Sequence, residues 1–113
     1  MSPDDAADRD LRREFGDTVN MSAKDLRGWL ETDESQSVGR HRDGDSEAVG
    51  HEMGRHIVDL LGTRAGELDD TDRARMRKVV GYVHRHLAQR PSGDVRDTRW
   101  RYSLMNWGHD PLR

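Results

Sequence analysis

The sequence predicts an all-α protein, a compact bundle of about five helices with a disordered N-terminal tail. Apolar residues recur at steps of three and four in five separate segments, which is the period of a helix with one buried face. No segment shows the alternation of apolar and polar residues that is typical of strands. The chain has 113 residues, which suits a single domain over residues 9–113. Residues 1–8 form the predicted tail because they offer little to bury.

The composition predicts a small core under a highly charged surface, since 32% of the residues are hydrophobic and 36% are charged. The chain contains no cysteine, which excludes disulfide frameworks, cysteine-ligated zinc and thiol catalysis. Its first residues, MSPDDAADRD, are acidic and polar where a signal peptide would be basic and then apolar. The prediction is a cytoplasmic protein with no membrane partner.

The first two helices are predicted from an apolar stripe and from capping residues. Their inward residues are Leu11, Phe15, Val19, Leu26, Trp29 and Leu30. The first helix runs from about Asp10 to Asn20. In the stretch MSAKDLRGWL, Ser22 can cap the second helix and Asp25 can bond back to complete a capping box. The second helix fades near Glu34.

A loop and a third helix follow. Residues 35–45, SQSVGRHRDGD, are rich in Ser, Gly and Asp without an apolar period, so they are predicted to be a loop. Ser46 can cap the third helix. Its buried stripe is Val49, Met53, Ile57, Leu60 and Leu61. Gly50 and Gly54 lie on the edge of this stripe and lower helix propensity, which indicates a close approach of a neighbouring backbone.

The fourth helix, at about residues 71–90, is predicted to be the longest and to have two different faces. Its inward residues are Met76, Val79, Val80, Val83 and Leu87. At about 100° per residue, the opposite face carries Arg75, Lys78, Tyr82, Arg85 and Gln89. Asp69 and Asp70 suit its N-terminus, and Pro91 ends it.

A last helix is predicted from Asp97 or Thr98 to Gly108, which is a natural C-cap. Its inward face is formed by Trp100, Leu104 and Trp107, at positions i, i+4 and i+7. Two tryptophans at this spacing are more typical of a core than of a catalytic site. We therefore expect one core that contains Phe15, Trp29, Ile57, Val83, Trp100 and Trp107.

Charge is distributed unevenly along the chain, although the formal net charge is only −3. Residues 1–45 contain 12 acidic and 7 basic residues, a local charge of −5. Residues 73–101 contain nine basic and two acidic residues, a local charge of +7. This asymmetry indicates either an anionic partner for the basic part or a match between the two parts within the molecule.

The residues that point away from the core on the last two helices are the candidate functional residues. The predicted nucleic-acid-binding set is Arg75, Lys78, Tyr82, Arg85, Arg99 and Arg101. Cations on one helix face supply the charge density that phosphates require, and Tyr82 can pack against sugar or base. Arg99 and Arg101 extend this set if the last two helices pack side by side.

The histidines present a different kind of candidate site, that of a small hydrolase or metal protein. His51 and His56 are five residues apart, about 140° around a helix, which is too far for a shared metal. His84 and His86 point to opposite flanks of the fourth helix, where a histidine commonly finds a backbone partner. His109 could join one of them in space. The chain has no calcium loop, phosphate loop or nucleophile elbow. The prediction is no enzyme, no cofactor and no metal.

Long motifs in the second half of the chain carry a family resemblance. They are MRKVVGYVHRHLAQRP (76–91), GDV (93–95) and TRWRYSLMNWGHDP (98–111). The chain resembles a family of small bacterial proteins, also found in some fungi, that is carried as a domain of unknown function. The likeness extends back through VNMSAKDLRGWLETDESQSVG (19–39) and SEAVGHEMGRHIVDLL (46–61). Members are sometimes labelled DNA-binding, so the resemblance implies association with DNA and supplies no catalytic or metal residues.

The leading hypothesis from the sequence is a non-enzymatic protein that binds double-stranded DNA through phosphate contacts, with weak sequence specificity. The alternative is a protein-interaction module, such as a homodimer in which the acidic half of one copy meets the basic half of another. The first predicts affinity that falls steeply with salt, and the second predicts a mass that depends on concentration.

Overall fold

The computed structural model describes residues 3–39 and 49–113 of the chain. The α-helices in these ranges are α1 (Pro3–Thr18), α2 (Ala23–Leu30), α3 (Asp33–Gly39), α4 (Val49–Leu61), α5 (Asp70–Leu87) and α6 (Arg99–Asn106). A short 3₁₀ helix, Ala65–Glu67, precedes α5. The described residues contain no strand, and the predicted all-α class is confirmed. None of the described helices has both the length and the apolar character needed to cross a membrane.

The start of the first helix differs from its predicted position. The helix begins at Pro3 and not near Asp10, so residues 3–8 of the predicted tail lie on its first turns. Proline suits the first helical position, because its fixed φ is helical and its missing N–H would have no partner there. The next turn is stabilised by an i, i+4 ion pair, in which the Asp8 carboxylate lies 3.4 Å from Arg12 Nε.

The predicted capping residues take up most of their expected positions. The Ser22 hydroxyl accepts from the Asp25 N–H at 3.0 Å, and Thr98 caps α6 in the same way. Asp69 and Asp72 form a complete capping box at the start of α5. The capping box predicted at α2 is wrong in one of its two hydrogen bonds. The Asp25 carboxylate does not bond back to the Ser22 N–H but accepts from Arg113 Nη2 at 2.5 Å.

Helix α3 lies where the sequence predicts the beginning of a loop. Its first turn is capped by Thr32, whose hydroxyl accepts from the Ser35 N–H at 3.1 Å. Ser35 is fully buried and is held by Asn106 of α6, so a distant part of the chain stabilises this short helix. The predicted cap Ser46 lies outside the described residues.

One continuous core joins the helices. It contains Phe15, Val19, Met21, Leu26, Leu30, Met53, Ile57, Leu60, Met76, Val79, Val80, Val83, Val95, Trp100, Leu104 and Trp107. Helix α1 packs on α5, α2 packs on α4, and α3 packs on α6. Of the six residues predicted to share one core, only Trp29 is partly exposed. Trp29 packs against the edge of the cluster, as do Leu11, Leu61 and Leu87 of the predicted apolar stripes.

The C-terminal segment, residues 108–113, lies across the connection between α1 and α2. The Met21 N–H donates to the Gly108 carbonyl at 3.1 Å. Asn20 makes reciprocal bonds with the backbone of Asp110, at 2.9 and 2.7 Å. Gly108 adopts a φ of +81°, and a Cβ there would lie 2.8 Å from Val19 Cγ1. Glycine is therefore required both by the C-cap conformation and by the close packing.

Candidate nucleic-acid interface

Helix α5 presents a basic surface to solvent. Residues 73–93 contain six arginines and lysines and no aspartate or glutamate. We define the basic face as Arg75, Arg77, Lys78 and Arg85. Arg75 is partly exposed and the other three side chains are exposed. None of the four forms a salt bridge with another described residue. Their charges are therefore available to an external anion.

Other basic residues of the C-terminal half of the chain are already paired within the molecule. Arg73 lies 2.7 Å from Asp70 and 3.5 Å from Asp8, so it joins α5 to the acidic first helix. Arg113 lies 2.5 Å from Asp25, so it likewise pairs a cation near the C-terminus with a carboxylate of the N-terminal half. Part of the charge asymmetry is thus a match within the chain. The basic face of α5 forms no salt bridge with the described residues, and only Arg77 acts on a nearby carboxylate, that of Asp70.

Tyr82 does not lie on the outward face where the sequence places it. Its ring stacks on that of Trp107, with centroids 3.9 Å apart, and on that of His86, with centroids 5.4 Å apart. Burial raises the pKa of Tyr82, and a hydrogen bond to Ser103 opposes that effect. Because Tyr82 is partly buried and stacked on two neighbouring rings, it is poorly placed to stack on a base.

Tyr82 belongs to an aromatic column that joins α5 to α6. We define the aromatic column as Trp107, Tyr82, His86 and Trp100, whose neighbouring ring planes are inclined by 11–14°. Tyr82 meets the end of α6 and His86 meets its start, so the two helices run antiparallel. The condition under which α6 can extend the basic set, side-by-side packing of the last two helices, is therefore met. The face of Trp100 is also covered by the Arg90 guanidinium, 5.4 Å from the ring centroid.

Arg101 is also not available to a ligand as the sequence predicts. Its Nε and Nη2 donate to the Asp110 carboxylate at 3.1 and 3.0 Å, and its Nη1 donates to the Arg96 carbonyl at 2.9 Å. The two side chains are only 19% and 11% exposed. Arg99, by contrast, is exposed at the first position of α6, next to Trp100. Of the two α6 arginines, Arg99 alone can extend the basic face.

Burial would raise the pKa of Asp110, but hydrogen bonds from Arg101 and from the Leu112 N–H outweigh burial and lower that pKa below its usual value. A carboxylate with a lowered pKa stabilises the fold above its unfolded pKa, and the stabilisation disappears as the pH falls through the folded pKa.

We expect Asp110→Asn to lower the free energy of unfolding by about 2 kcal/mol near pH 7, because a charged bidentate hydrogen bond is lost. The difference from the wild type should shrink below about pH 4, where the carboxylate of the unfolded chain is itself protonated. Urea denaturation at the two pH values measures it. Asp25→Asn, at an ion pair whose side chains are 44% and 47% exposed, is the control and should leave stability nearly unchanged.

The histidines bind separate parts of the backbone, but His109 joins His84 on the lining of one cleft. His51 Nε2 contacts the Leu30 carbonyl, His86 Nε2 contacts the Trp100 carbonyl, and His109 Nδ1 contacts the Thr18 carbonyl. His56 lies 3.7 Å from Glu52, as the i, i+4 spacing indicates. A cleft of about 380 Å³ is lined by Glu14, Asp17, Thr18, Val83, His84, Leu87 and His109. Within the described ranges, no three histidine or carboxylate side chains are placed to hold a metal.

A second surface feature is a groove of about 760 Å³ between α2 and α4. Its lining residues are Arg27, Leu30, Glu31, Gln36, His51, Arg55, Val58 and Asp59. Two exposed arginines, Arg27 and Arg55, are here accompanied by two carboxylates, so the groove has no excess of charge. It therefore differs from the basic face of α5, whose four cations form no salt bridge with the described residues.

The chain matches a family described as "Protein of unknown function (DUF3140)" over residues 14–105. The chain belongs to the DUF3140 family. No curated protein and no solved structure matches it. The DUF3140 match contains the whole of α5 and Arg101 but ends before Asp110. The ion pair between Arg101 and Asp110 thus joins the matched region to the segment that follows it.

The DUF3140 assignment names no functional residue, so the site is defined by geometry alone. Of the predicted set, Arg75, Lys78 and Arg85 lie on the solvent-facing side of α5, and the structure shows that Arg77 belongs to the same basic face. The sequence signal for Arg77 is its place in a run of basic residues without acids. Arg99 lies at the exposed start of the neighbouring helix.

Proposed function

We propose that this protein is a non-enzymatic, cytoplasmic, DNA-associated protein that contacts phosphates through the basic face of α5. The observation that carries the proposal is that one helix presents three exposed cations and a partly exposed fourth within a 21-residue stretch, residues 73–93, that contains no carboxylate. Phosphate contacts need positive charge that is not already neutralised, and this face supplies it.

The arrangement favours duplex DNA and weak sequence preference. Lys78 and Arg85 are seven residues apart, about 10 Å along the helix axis, so they can reach separate phosphates. The rings of the aromatic column are covered by one another and by Arg90, so they offer no stacking platform for the bases of a single strand. The role of Tyr82 is to fix the orientation of α5, and Arg99 extends the phosphate contacts.

The test is binding to a labelled mixed-sequence duplex across a salt series. We expect the logarithm of the affinity to fall linearly with the logarithm of the salt concentration. The double variant Lys78→Ala, Arg85→Ala should bind roughly tenfold or more weakly at low salt, and its slope should be smaller by about 2, because each lost phosphate contact removes about one counterion.

Arg27→Ala, Arg55→Ala is the matched control, since it removes the same charge from exposed helical positions on another surface. It should bind DNA nearly as well as the wild type does. Equal weakening by both double variants would mean that net charge and not the basic face determines binding. No binding by the wild-type protein even at low salt would refute the proposal.

In the alternative, the basic face associates with the acidic surface of a second copy. Sedimentation in the absence of DNA distinguishes this self-association from the proposed DNA binding. It predicts a mass that rises with concentration and that returns to the monomer mass in the Lys78→Ala, Arg85→Ala variant. A monomer at all concentrations, together with salt-dependent DNA binding, favours the proposed function.

A further inference from the structure

Gly81 lies well inside α5, on the side of the helix that carries the basic face. Its neighbours on the helix surface, three or four residues away, include Arg77, Lys78 and Arg85. Gly81 is partly exposed, and its φ is not positive, so the backbone there accepts any L-residue. A glycine inside a helix costs stability relative to alanine. The conformation of α5 therefore does not require a glycine at this position.

The nearest atoms that a side chain at Gly81 would meet belong to Arg85. A Cβ at Gly81 would lie 3.0 Å from Arg85 Nη1, 3.8 Å from Arg85 Cζ and 3.9 Å from Arg85 Nη2. These three atoms belong to one guanidinium group, so the Arg85 side chain extends back along α5 and places its charge over the bare backbone of Gly81. We call this contact the Arg85 seat. Unlike Gly54, Gly81 does not face a neighbouring helix.

Two other glycines in helices provide a comparison. Gly16 of α1 and Gly28 of α2 are exposed, and a Cβ at either position would meet nothing within 4 Å. At Gly81 the space of the missing side chain is instead filled by a guanidinium. Arg85 forms no salt bridge with another described residue. The contact with Gly81 is therefore what restricts the rotamers of Arg85.

The Arg85 seat concentrates positive charge over one turn of α5. Arg77 and Lys78 precede Gly81 by one turn, and both are exposed. The seat brings the Arg85 guanidinium toward these two cations, and like charges brought together on a helix surface are destabilising. An anion over Gly81 compensates this repulsion, because each cation then faces a negative group. A phosphate of DNA is the anion that the proposed function supplies.

We propose that Gly81 is a positioning residue for DNA binding, which seats the Arg85 guanidinium against α5 so that Arg85 binds a phosphate of the duplex over this turn. The inference rests on the proposed function, since it assigns the position of one phosphate on the basic face. Arg85 contacts the phosphate, and Gly81 acts through Arg85. A side chain that is ordered before the ligand arrives loses less conformational entropy on binding.

The first measurement uses ¹⁵N-labelled full-length protein without DNA. The Nε–H order parameter of Arg85 should exceed that of Arg77, which has Arg73 and not a glycine one turn before it. Gly81→Gln fills the seat with a neutral side chain and should lower the Arg85 value to that of Arg77. Gly28→Gln makes the same change at an exposed helical glycine of α2 and should leave Arg85 unchanged. Both variants should melt at a higher temperature than the wild type, because glutamine has the higher helix propensity.

The second measurement is binding to the labelled mixed-sequence duplex across a salt series. Gly81→Gln should bind about fivefold more weakly than the wild type, because one side chain is no longer ordered in advance. The slope of the logarithm of affinity against the logarithm of salt concentration should not change, since no charge is removed. Gly28→Gln should bind as the wild type does. In an Arg85→Ala background, Gly81→Gln should have no further effect on affinity.

Three results overturn the inference and leave the proposed function in place. They are an Arg85 side chain as mobile as Arg77 in the wild type, equal duplex affinity of Gly81→Gln and the wild type, and a loss of affinity that persists in the Arg85→Ala background. The last result would mean that the new side chain obstructs DNA directly. A wild type that binds no duplex even at low salt refutes the proposed function and the role of Gly81 in it together.

Discussion

Substitution of Asn106 by alanine is expected to lower the free energy of unfolding by about 4 kcal/mol. The side chain is 1% exposed and holds three polar groups of other helices. Its Oδ1 accepts from the Trp29 indole at 2.7 Å and from the Ser35 hydroxyl at 2.5 Å, and its Nδ2 donates to the Ser35 carbonyl at 3.1 Å. Each group left buried without a partner costs about 1–3 kcal/mol.

The magnitude is checked by urea denaturation followed by circular dichroism. Asn20→Ala is the matched control, because Asn20 also makes reciprocal hydrogen bonds, with the Asp110 backbone, but is only half-buried. Water can replace its bonds, so we expect a loss of about 1 kcal/mol. Similar costs at the two positions would mean that water enters the Asn106 site, and the dry polar contact between α2, α3 and α6 would be disproved.

The Asn106 contact marks the boundary of what the sequence can predict. The apolar stripes that contain Leu26, Ile57 and Val83 follow from periods of three and four, because a helix brings near neighbours to one face. Asn106 contacts residues 71 and 77 positions away. No local pattern contains that pairing. The same contact explains why α3 forms where a Ser-rich and Gly-rich stretch predicts a loop, since its serine is held by a distant helix.

The candidate site also has features that the sequence predicts and features that it does not. A helical wheel places Lys78 and Arg85 on the outer face, and both are exposed. Tyr82 is only about 60° from Val79 on that wheel, so whether it is exposed depends on a neighbouring helix. Helix α6 covers it. Arg101 is not available to a ligand because it is bound by Asp110, a residue beyond the end of its helix. The exposed cations follow from the sequence, whereas their distinction from paired or covered residues requires the tertiary structure.

Of the two glycines of α4, Gly54 provides the opposite case, in which the sequence predicts a close helix crossing correctly. The close approach of a backbone predicted at Gly50 is wrong, because a Cβ there would meet only side-chain atoms, at 3.6 Å or more. Gly54 faces the crossing of α4 with α2 and α6. A Cβ at Gly54 would lie 2.6 Å from Leu30 Cδ2 and 2.7 Å from the Asn106 carbonyl oxygen. The leucine side chain can rotate away, but the carbonyl belongs to the backbone of α6. That oxygen can move only if the helix moves.

We therefore expect Gly54→Ala to destabilise the protein by about 3 kcal/mol, since overpacking against a backbone outweighs the gain in helix propensity. Gly50→Ala, one turn earlier on α4, is the control. A Cβ there would lie 3.6 Å from Trp107 Nε1 and 3.7 Å from Asn106 Nδ2, which is ordinary contact. The propensity gain is not opposed, so this variant should be more stable by up to about 1 kcal/mol.

The same substitution on the same helix is thus expected to have opposite signs at two positions four residues apart. Thermal and urea unfolding of the two variants measure both effects against one reference. If Gly54→Ala is neutral or stabilising, α4 and α6 are farther apart than the structure places them. The Asn106 carbonyl that limits Gly54 and the Asn106 side chain that binds Ser35 and Trp29 belong to one residue. A looser crossing would therefore also weaken the expected cost of Asn106→Ala, and the two predictions test one geometry by independent means.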